Sequence, residues 1–525
     1  MENNTGNLDE KILLLEKGKR GILGIIFGRT TLIVAMLLLQ IVMIVAAFNR
    51  FTPYVPYFYG VLLLFYGAII LHLVNRRMNP EIKISWILLM VVIPVVGVVL
   101  YLFVENDLGC RLMKRRLSQL IRETKKYVPE PPQLKTSLDN DPNLNALAKY
   151  SWEFGHFPIY ENTEAKYLPT GEETMEEMIR QLEKAEKFIF MEFFIIDEGY
   201  MWGRILKILE EKVKQGVEVR VMYDGTCALF RLPYHYPEKL KKLGIKCKMF
   251  APIRPFVSTH YNNRDHRKIL VIDGNVAFTG GVNLADEYIN RRKLYGHWKD
   301  VAVMLRGEAV RSFTLMFLQM WDIEERTEDF SPFLECTALP ENAPGYVLPY
   351  GDSPLDHERV GEMVYLDIIN RARRYVHIMT PYLILDSEMV TALTFAAKRG
   401  VDVAIILPHI PDKKYAFALA KTHYRELIEG GVRIMEYIPG FIHAKTFVSD
   451  DTCAVVGSIN LDYRSLYLHF ECAAYLSNMP AVMDVERDFI ETAASCQTIG
   501  IDDLKKEKFL IRAAGWLLKV FAPMM

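Results

Sequence analysis

One short pattern occurs twice in this chain with the same internal spacing. It runs His266-Arg267-Lys268, Asp273, Gly280-Gly281-Val282-Asn283, and again His443-Ala444-Lys445, Asp450, Gly457-Ser458-Ile459-Asn460. In both copies Lys follows His by 2 residues, Asp by 7, Gly by 14 and Asn by 17. One His-x-Lys carries little meaning. Two copies in step predict a duplicated half-site with two histidines working on one atom.

The repeat is wider than the motif. Phe188–Ile196 and Val217–Tyr223 read as buried strands around a helix, Trp202–Lys214, stopped by Gly216. Tyr375–Leu383 and Val401–Leu407 flank a second helix, Met389–Lys398, stopped by Gly400. Gly244-Ile245-Lys246 is echoed by Gly431-Val432-Arg433. The expected fold class is α/β, with two pseudo-twofold-related lobes. Each lobe is read as a mixed, largely parallel sheet flanked by helices through right-handed crossovers. The lobes are placed at 151–340 and 345–500, with Arg326–Pro349 as the linker between them.

Hydrophobic residues make up 51% of the 525, and the excess is local. After a polar lead at 1–30, the segment 31–104 holds three apolar runs, at about 31–48, 57–74 and 84–104. Each is long enough to cross about 30 Å of hydrocarbon as a helix, so transmembrane helices are expected ahead of the lobes. Lysines and arginines before residue 30 and at Arg76, Arg77 and Lys83 put the N-terminus and the second loop inside. Three full spans would leave the lobes outside, yet they are preceded by Arg111, Lys114, Arg115 and Arg116. Pro94 and Gly97 also permit a break or a re-entrant hairpin, so two topologies stay open. Residues 105–150, basic and containing Pro129, Pro131 and Pro132, read as a surface linker. The apolar and amphipathic C-terminus, 501–525, reads either as a helix packed on a lobe or as an interfacial helix anchored by Trp516 and Phe521. The net charge of −1 argues against a nucleic-acid partner. Seven scattered cysteines form no disulfide framework and no zinc spacing.

Residues i and i+2 of a strand share a face, so His266 projects with Lys268 and His443 with Lys445. Asp273-Gly274 and Asp450-Asp451 read as turns, Gly280 and Gly457 as points of close approach, and Asn283 and Asn460 as amide donors. Two imidazoles, two ammonium groups and two amides suit a phosphodiester anion. The cations stabilise a pentacoordinate transition state, one neutral imidazole attacks phosphorus, and the other, protonated, gives its proton to the leaving alkoxide. This chemistry requires no metal and no cofactor. Each imidazole needs a partner on its second nitrogen. Glu471 is the expected partner of His443, and Asp300 that of His266.

These residues make the chain resemble the phospholipase D superfamily, whose HxKxxxxD signature occurs twice. Within it the chain is most similar to bacterial cardiolipin synthases. Asn263–Lys268, Thr279–Tyr288, Gly457–Leu466 and the segment Asn79-Pro80, Trp86, Pro94, Gly97, Tyr101 carry that likeness over about residues 75–525. Two features depart from the pattern. His469 stands where the family usually has Asn, and Thr31–Phe48 is an added apolar run.

The resemblance implies transfer of a phosphatidyl group between two phosphatidylglycerols, giving cardiolipin and glycerol through a phosphatidyl-histidine. It gives the nucleophile role to His266 and the acid–base role to His443. The phosphate, it implies, is held by Lys268, Lys445, Asn283 and Asn460, with Gly280 and Ser458 beside it, while Asp273 and Asp450 fix the motif loops. The resemblance also implies a multi-pass protein of the bacterial cell membrane. A hydrolytic phospholipase D and a phosphatidylserine synthase-like transphosphatidylase are the nearest alternatives. A membrane-bound nuclease and a non-catalytic scaffold fit the residues less well.

Overall fold

Short buried runs ending in tight turns build both lobes. The computed structural model describes residues 59–106, 111–129, 141–253 and 262–524 except 328, 357 and 508, with isolated positions between 38 and 50. The first lobe uses β1 (Thr163–Leu168), β2 (Phe188–Phe193), β3 (Glu218–Asp224), β4 (Lys246–Phe250), β5 (Arg264–Asp265), β6 (Lys268–Ile272), β7 (Val276–Gly280), β8 (His297–Lys299) and β9 (Ala302–Gly307). The second uses β10 (Tyr346–Asp352), β11 (Tyr375–Met379), β12 (Asp402–Pro408), β13 (Arg433–Tyr437), β14 (Gly440–Ile442), β15 (Thr446–Ser449), β16 (Cys453–Gly457), β17 (His469–Ser477) and β18 (Cys496–Thr498). The strand orders are β1-β9-β7-β6-β2-β3-β4 and β10-β17-β16-β15-β11-β12-β13-β18. The first seven strands of each match position by position, so the lobe itself is duplicated.

The sheets are mixed, but not largely parallel. Within these two strand orders only β2–β3–β4 and β11–β12–β13 run parallel, and the other neighbours in them are antiparallel. The parallel part has the helical crossovers that the sequence shows, Tyr200–Lys214 and Ser387–Lys398. The rest follows from the motif turns. Asp273 and Gly274 have φ of 55° and 70°, and Asp450 and Asp451 have 55° and 60°. A turn this short closes a hairpin and cannot carry a parallel return. The linker reading also needs correction, because β10 begins at Tyr346. Pro349 within it is tolerated because β10 is the edge strand of its sheet, met on its outer side only by the isolated bridge of Val347 to Tyr160.

The two sheets face one another across a central core. Phe190, Ile269, Val271 and Val303 on one side meet Ile406, Val448, Val456 and Ala474 on the other, with the helices Val310–Trp321 and Pro480–Ala493 in the same cluster. Separate cores lie under the outer helices of each lobe.

Ahead of the lobes run α1 (Tyr59–Asn75), α2 (Pro80–Val92), α3 (Pro94–Asn106) and α4 (Arg111–Thr124). Among the described residues no helix is long and apolar enough to cross a membrane. The run 84–104 is not one span. It breaks at Ile93, and the ring of Trp86 meets that of Tyr101 edge-on at 5.5 Å. Residues fifteen apart would lie about 22 Å apart along a straight helix, so α2 and α3 form a hairpin. Gly97 sits in its crook, where a Cβ would come within 2.8 Å of Met90 Cα. Most of the 31–48 run and the start of the second lie outside the described residues. The basic stretch 105–150 is partly helical rather than a plain linker. α4 buries Leu117 and Leu120, and Arg116 Nε donates to Asp322 O at 3.3 Å, so its apolar face packs on the first lobe.

Candidate active site

The motif histidines stand where each lobe adds a strand to the other. β5, just before His266, pairs in parallel with β17 of the second lobe (Arg264 with His469, Asp265 with Phe470), and the His266 N–H donates to Phe470 O at 2.9 Å. β14, just before His443, pairs in parallel with β8 of the first lobe (Phe441 with Trp298, Ile442 with Lys299), and the His443 N–H donates to Lys299 O at 2.7 Å. This exchange puts Glu471, next after Phe470, beside His266, and Asp300, next after Lys299, beside His443.

His266 Nδ1 lies 2.9 and 3.0 Å from the two Glu471 oxygens, and His443 Nδ1 lies 2.6 Å from Asp300 Oδ2. The acids are thus exchanged relative to the sequence expectation. Each histidine takes its carboxylate from the opposite lobe, because the pairing that aligns them runs between lobes. Both carboxylates are fully buried, and both imidazoles are 8% exposed. Ser458 Oγ donates to Glu471 Oε2 at 2.5 Å. Gly281 makes room for Asp300, since a Cβ there would fall 2.0 Å from Oδ1.

Lys268 Nζ donates to His266 O at 2.5 Å, and Lys445 Nζ donates to His443 O. Each ammonium has three donors and spends one here. Burial lowers Lys268 to about 8 and Lys445 to about 7. Burial also lowers His443 to about 4, aided by Lys445 and opposed by Asp300. His266 lies well below the usual histidine value, through burial and then Lys268, His469, Lys445 and His443. The second lobe's lysine and histidine therefore lie within electrostatic reach of the first lobe's histidine. Burial raises Glu471 to about 8. Crowded, partly desolvated cations of this kind favour an anion between them.

The remaining motif residues brace the fold. Asp273 accepts the N–H groups of Glu186, Lys187 and Phe188 at 2.7–2.8 Å, and Asp450 those of Arg373, Arg374 and Tyr375 at 2.7–2.9 Å. Asn283 accepts from the Ile195 N–H and donates to the Tyr288 hydroxyl, and Asn460 donates to Ser465 Oγ. Gly280, with φ of 156°, meets neighbouring backbone, where a Cβ would lie 2.4 Å from Val301 O. Phe194 lies edge-on to His266 with centroids 4.9 Å apart, and Trp298, Tyr288 and Phe441 surround His443 at 5.3, 5.5 and 5.8 Å.

Sequence reasoning noted His469 only as a departure and gave it no place. Its ring centroid is 5.6 Å from that of His266, its Nδ1 is 3.9 Å from Glu471 Oε1, and both ring nitrogens are buried without a hydrogen bond. His266, His469 and Glu471 offer ligand atoms within 4.8 Å of one another, a set that could hold a divalent cation. The sequence hides this cluster because it is assembled across the lobes. The aromatic wall has no spacing signal, as its members come from four separate loops and strands.

The fold is similar to that of a solved structure, phosphatidylserine synthase from Haemophilus influenzae. It superposes with a TM-score of 0.54 at 15% identity, over 72% of this chain and 97% of that one. The family model described as cardiolipin synthase, phospholipase D-like domain, matches residues 178–321 and 365–492, and a phospholipase D–nuclease N-terminal model matches 64–105. A cardiolipin synthase from Geobacillus kaustophilus is 33% identical over 87% of this chain and 91% of its own length. An uncharacterized Streptococcus mutans protein is 52% identical over 87% of this chain and 99% of its own. The chain belongs to the cardiolipin synthase family of phospholipase D-like proteins.

Proposed function

We propose that this enzyme is a phosphatidyltransferase that makes cardiolipin and glycerol from two molecules of phosphatidylglycerol. The observation that carries the chemistry is the pair of His–carboxylate dyads, exchanged between lobes around two lysines. His266 Nε2 attacks phosphorus while Lys268 and Lys445 neutralise the non-bridging oxygens. The P–O bond to the headgroup glycerol breaks, and His443 gives its proton to the departing oxygen. The terminal hydroxyl of a second phosphatidylglycerol then loses its proton to His443 and attacks phosphorus. The P–N bond breaks, cardiolipin leaves and both histidines return to their starting state. One diester replaces another, so no nucleotide is consumed.

The dyads differ in a way that supports this division of roles. Burial and Lys445 lower His443 to about 4; Asp300 opposes this, and a bound phosphodiester anion would raise it further, which suits His443 to carry the proton. Glu471 is itself raised by burial, and burial together with the neighbouring cations holds His266 well below the usual histidine value, neutral and nucleophilic.

A lipid substrate fits where the helical hairpin is rooted. Asn79 Nδ2 donates to Asp386 and to the Tyr467 hydroxyl at 3.1 and 2.9 Å, and the Tyr463 hydroxyl donates to Glu81. Tyr463 lies three residues beyond Asn460, and the Ile384 N–H donates to Leu461 O at 2.8 Å, so the root adjoins the rim of the site. We place the hairpin in the membrane of the bacterial cell, re-entering on the side where the lobes stand. The purified protein incubated with phosphatidylglycerol yields cardiolipin and glycerol in equal amounts. Phosphatidic acid alone would instead make it a hydrolase.

A further inference from the structure

We infer that the C-terminal helix Phe509–Phe521 is a second membrane contact, lying in the bilayer interface next to the hairpin. This rests on the reading of the hairpin as membrane-embedded. The helix has two apolar sides, and only one is used by the protein. Its inner side packs on the helix Lys414–Glu429, with Gly515 so close that a Cβ would fall 2.6 Å from Ala418 O, and Leu518 touches the cluster of Ile384, Leu419 and Tyr463. Its other side leaves Phe509 69%, Trp516 56% and Leu517 66% exposed. A helix packed on a soluble surface normally turns polar residues outward, so this face fits a partly apolar medium.

Three further observations select a bilayer rather than a second protein. The outer side of the hairpin is also bare, with Ile84, Val91 and Val92 all more than 60% exposed. The two elements touch, because Ser85 Oγ donates to Val520 O at 2.7 Å. Finally, Arg512 and Lys519, seven residues apart and so on one edge, flank the apolar side, and the Arg512 guanidinium stands 5.5 Å from the Trp516 ring. Lys519 lines a cavity of about 170 Å³ with Glu81, Asp386, His423 and Tyr463, so the charged edge borders the lobe. Cations beside a tryptophan at the boundary of an apolar face suit the headgroup level of an anionic leaflet. Two contacts on one side of the lobe would fix its tilt and hold the rim at the lipid surface.

The test attaches an environment-sensitive fluorophore at Leu517→Cys and, in a separate protein, at Val91→Cys. Full-length proteins are reconstituted in vesicles of phosphatidylcholine and phosphatidylglycerol carrying brominated acyl chains, and wild-type protein taken through the labelling supplies the background. Both probes are expected to be quenched. Quenching at Val91 without quenching at Leu517 overturns the inference and leaves the hairpin reading standing, whereas no quenching at either overturns both. A Leu517 probe that is unquenched and cross-links to a second copy also overturns it. In activity, Trp516→Glu/Leu517→Glu raises KM for vesicles by about tenfold or more and leaves turnover in mixed micelles within about twofold. An equal loss in both systems, or none in vesicles, contradicts the inference.

Discussion

His266 and His443 each depend on a carboxylate from the other half of the chain, so the decisive residues are the two acids. Asp300→Asn keeps the shape and removes the charge that supports His443, and kcat is expected to fall by about 10²–10⁴-fold with folding unchanged. Glu471→Gln changes the hydrogen-bond partner that orients His266 through Nδ1, and kcat is expected to fall there too. Crossed double variants measure the partnership. His443→Ala added to Asp300→Asn costs little further, whereas an uncoupled pair would multiply the losses. His469 sets the acid side of the pH profile. Burial holds His469 itself well below the usual histidine value, so it becomes a charged neighbour only on the acid side, where it opposes protonation of His266. Replacing it with neutral Asn raises the pKa of His266, so the nucleophile is lost to protons at a higher pH. His469→Asn should therefore shift the acid limb of kcat/KM to higher pH; a shift to lower pH would contradict this placement. The histidines and lysines were legible because a fixed spacing repeats. Their partners were not, since Glu471 lies 28 residues beyond His443 in the chain yet sits on His266 in the fold.

At the level of elements, the motif glycines divide by what they touch. Gly281→Ala should push Asp300 off His443, lowering kcat about 10–100-fold with little change in Tm. Gly280→Ala would meet backbone at a positive φ and should cost stability instead. Thermal unfolding and steady-state rates on both variants separate the two, and the reverse pattern would contradict the account. Buried runs such as Phe188–Phe193 and the glycines after each helix, Gly216 at φ 91° and Gly400 at 94°, were readable as local structure. Sheet direction was not, because it turns on three-residue hairpin loops rather than on strand composition. Pro349 hid an edge strand, whereas Pro94 and Gly97 already left a hairpin open as one of two readings of the 84–104 run.

In the whole molecule, duplication and exchange explain each other. Two copies of one lobe, each lending a strand to the other, assemble two buried His–carboxylate dyads that neither could form alone, and the helical hairpin is rooted on the second lobe. The central claim is that both histidines serve one phosphorus, with His266 as the covalent carrier. The direct measurement is mass spectrometry of peptides from enzyme quenched in alkali during turnover of phosphatidylglycerol. The account predicts a phosphatidyl adduct on His266, absent from an inactive His266→Asn variant. An adduct on His443 or elsewhere, or a His266→Asn enzyme that still makes cardiolipin, would contradict it.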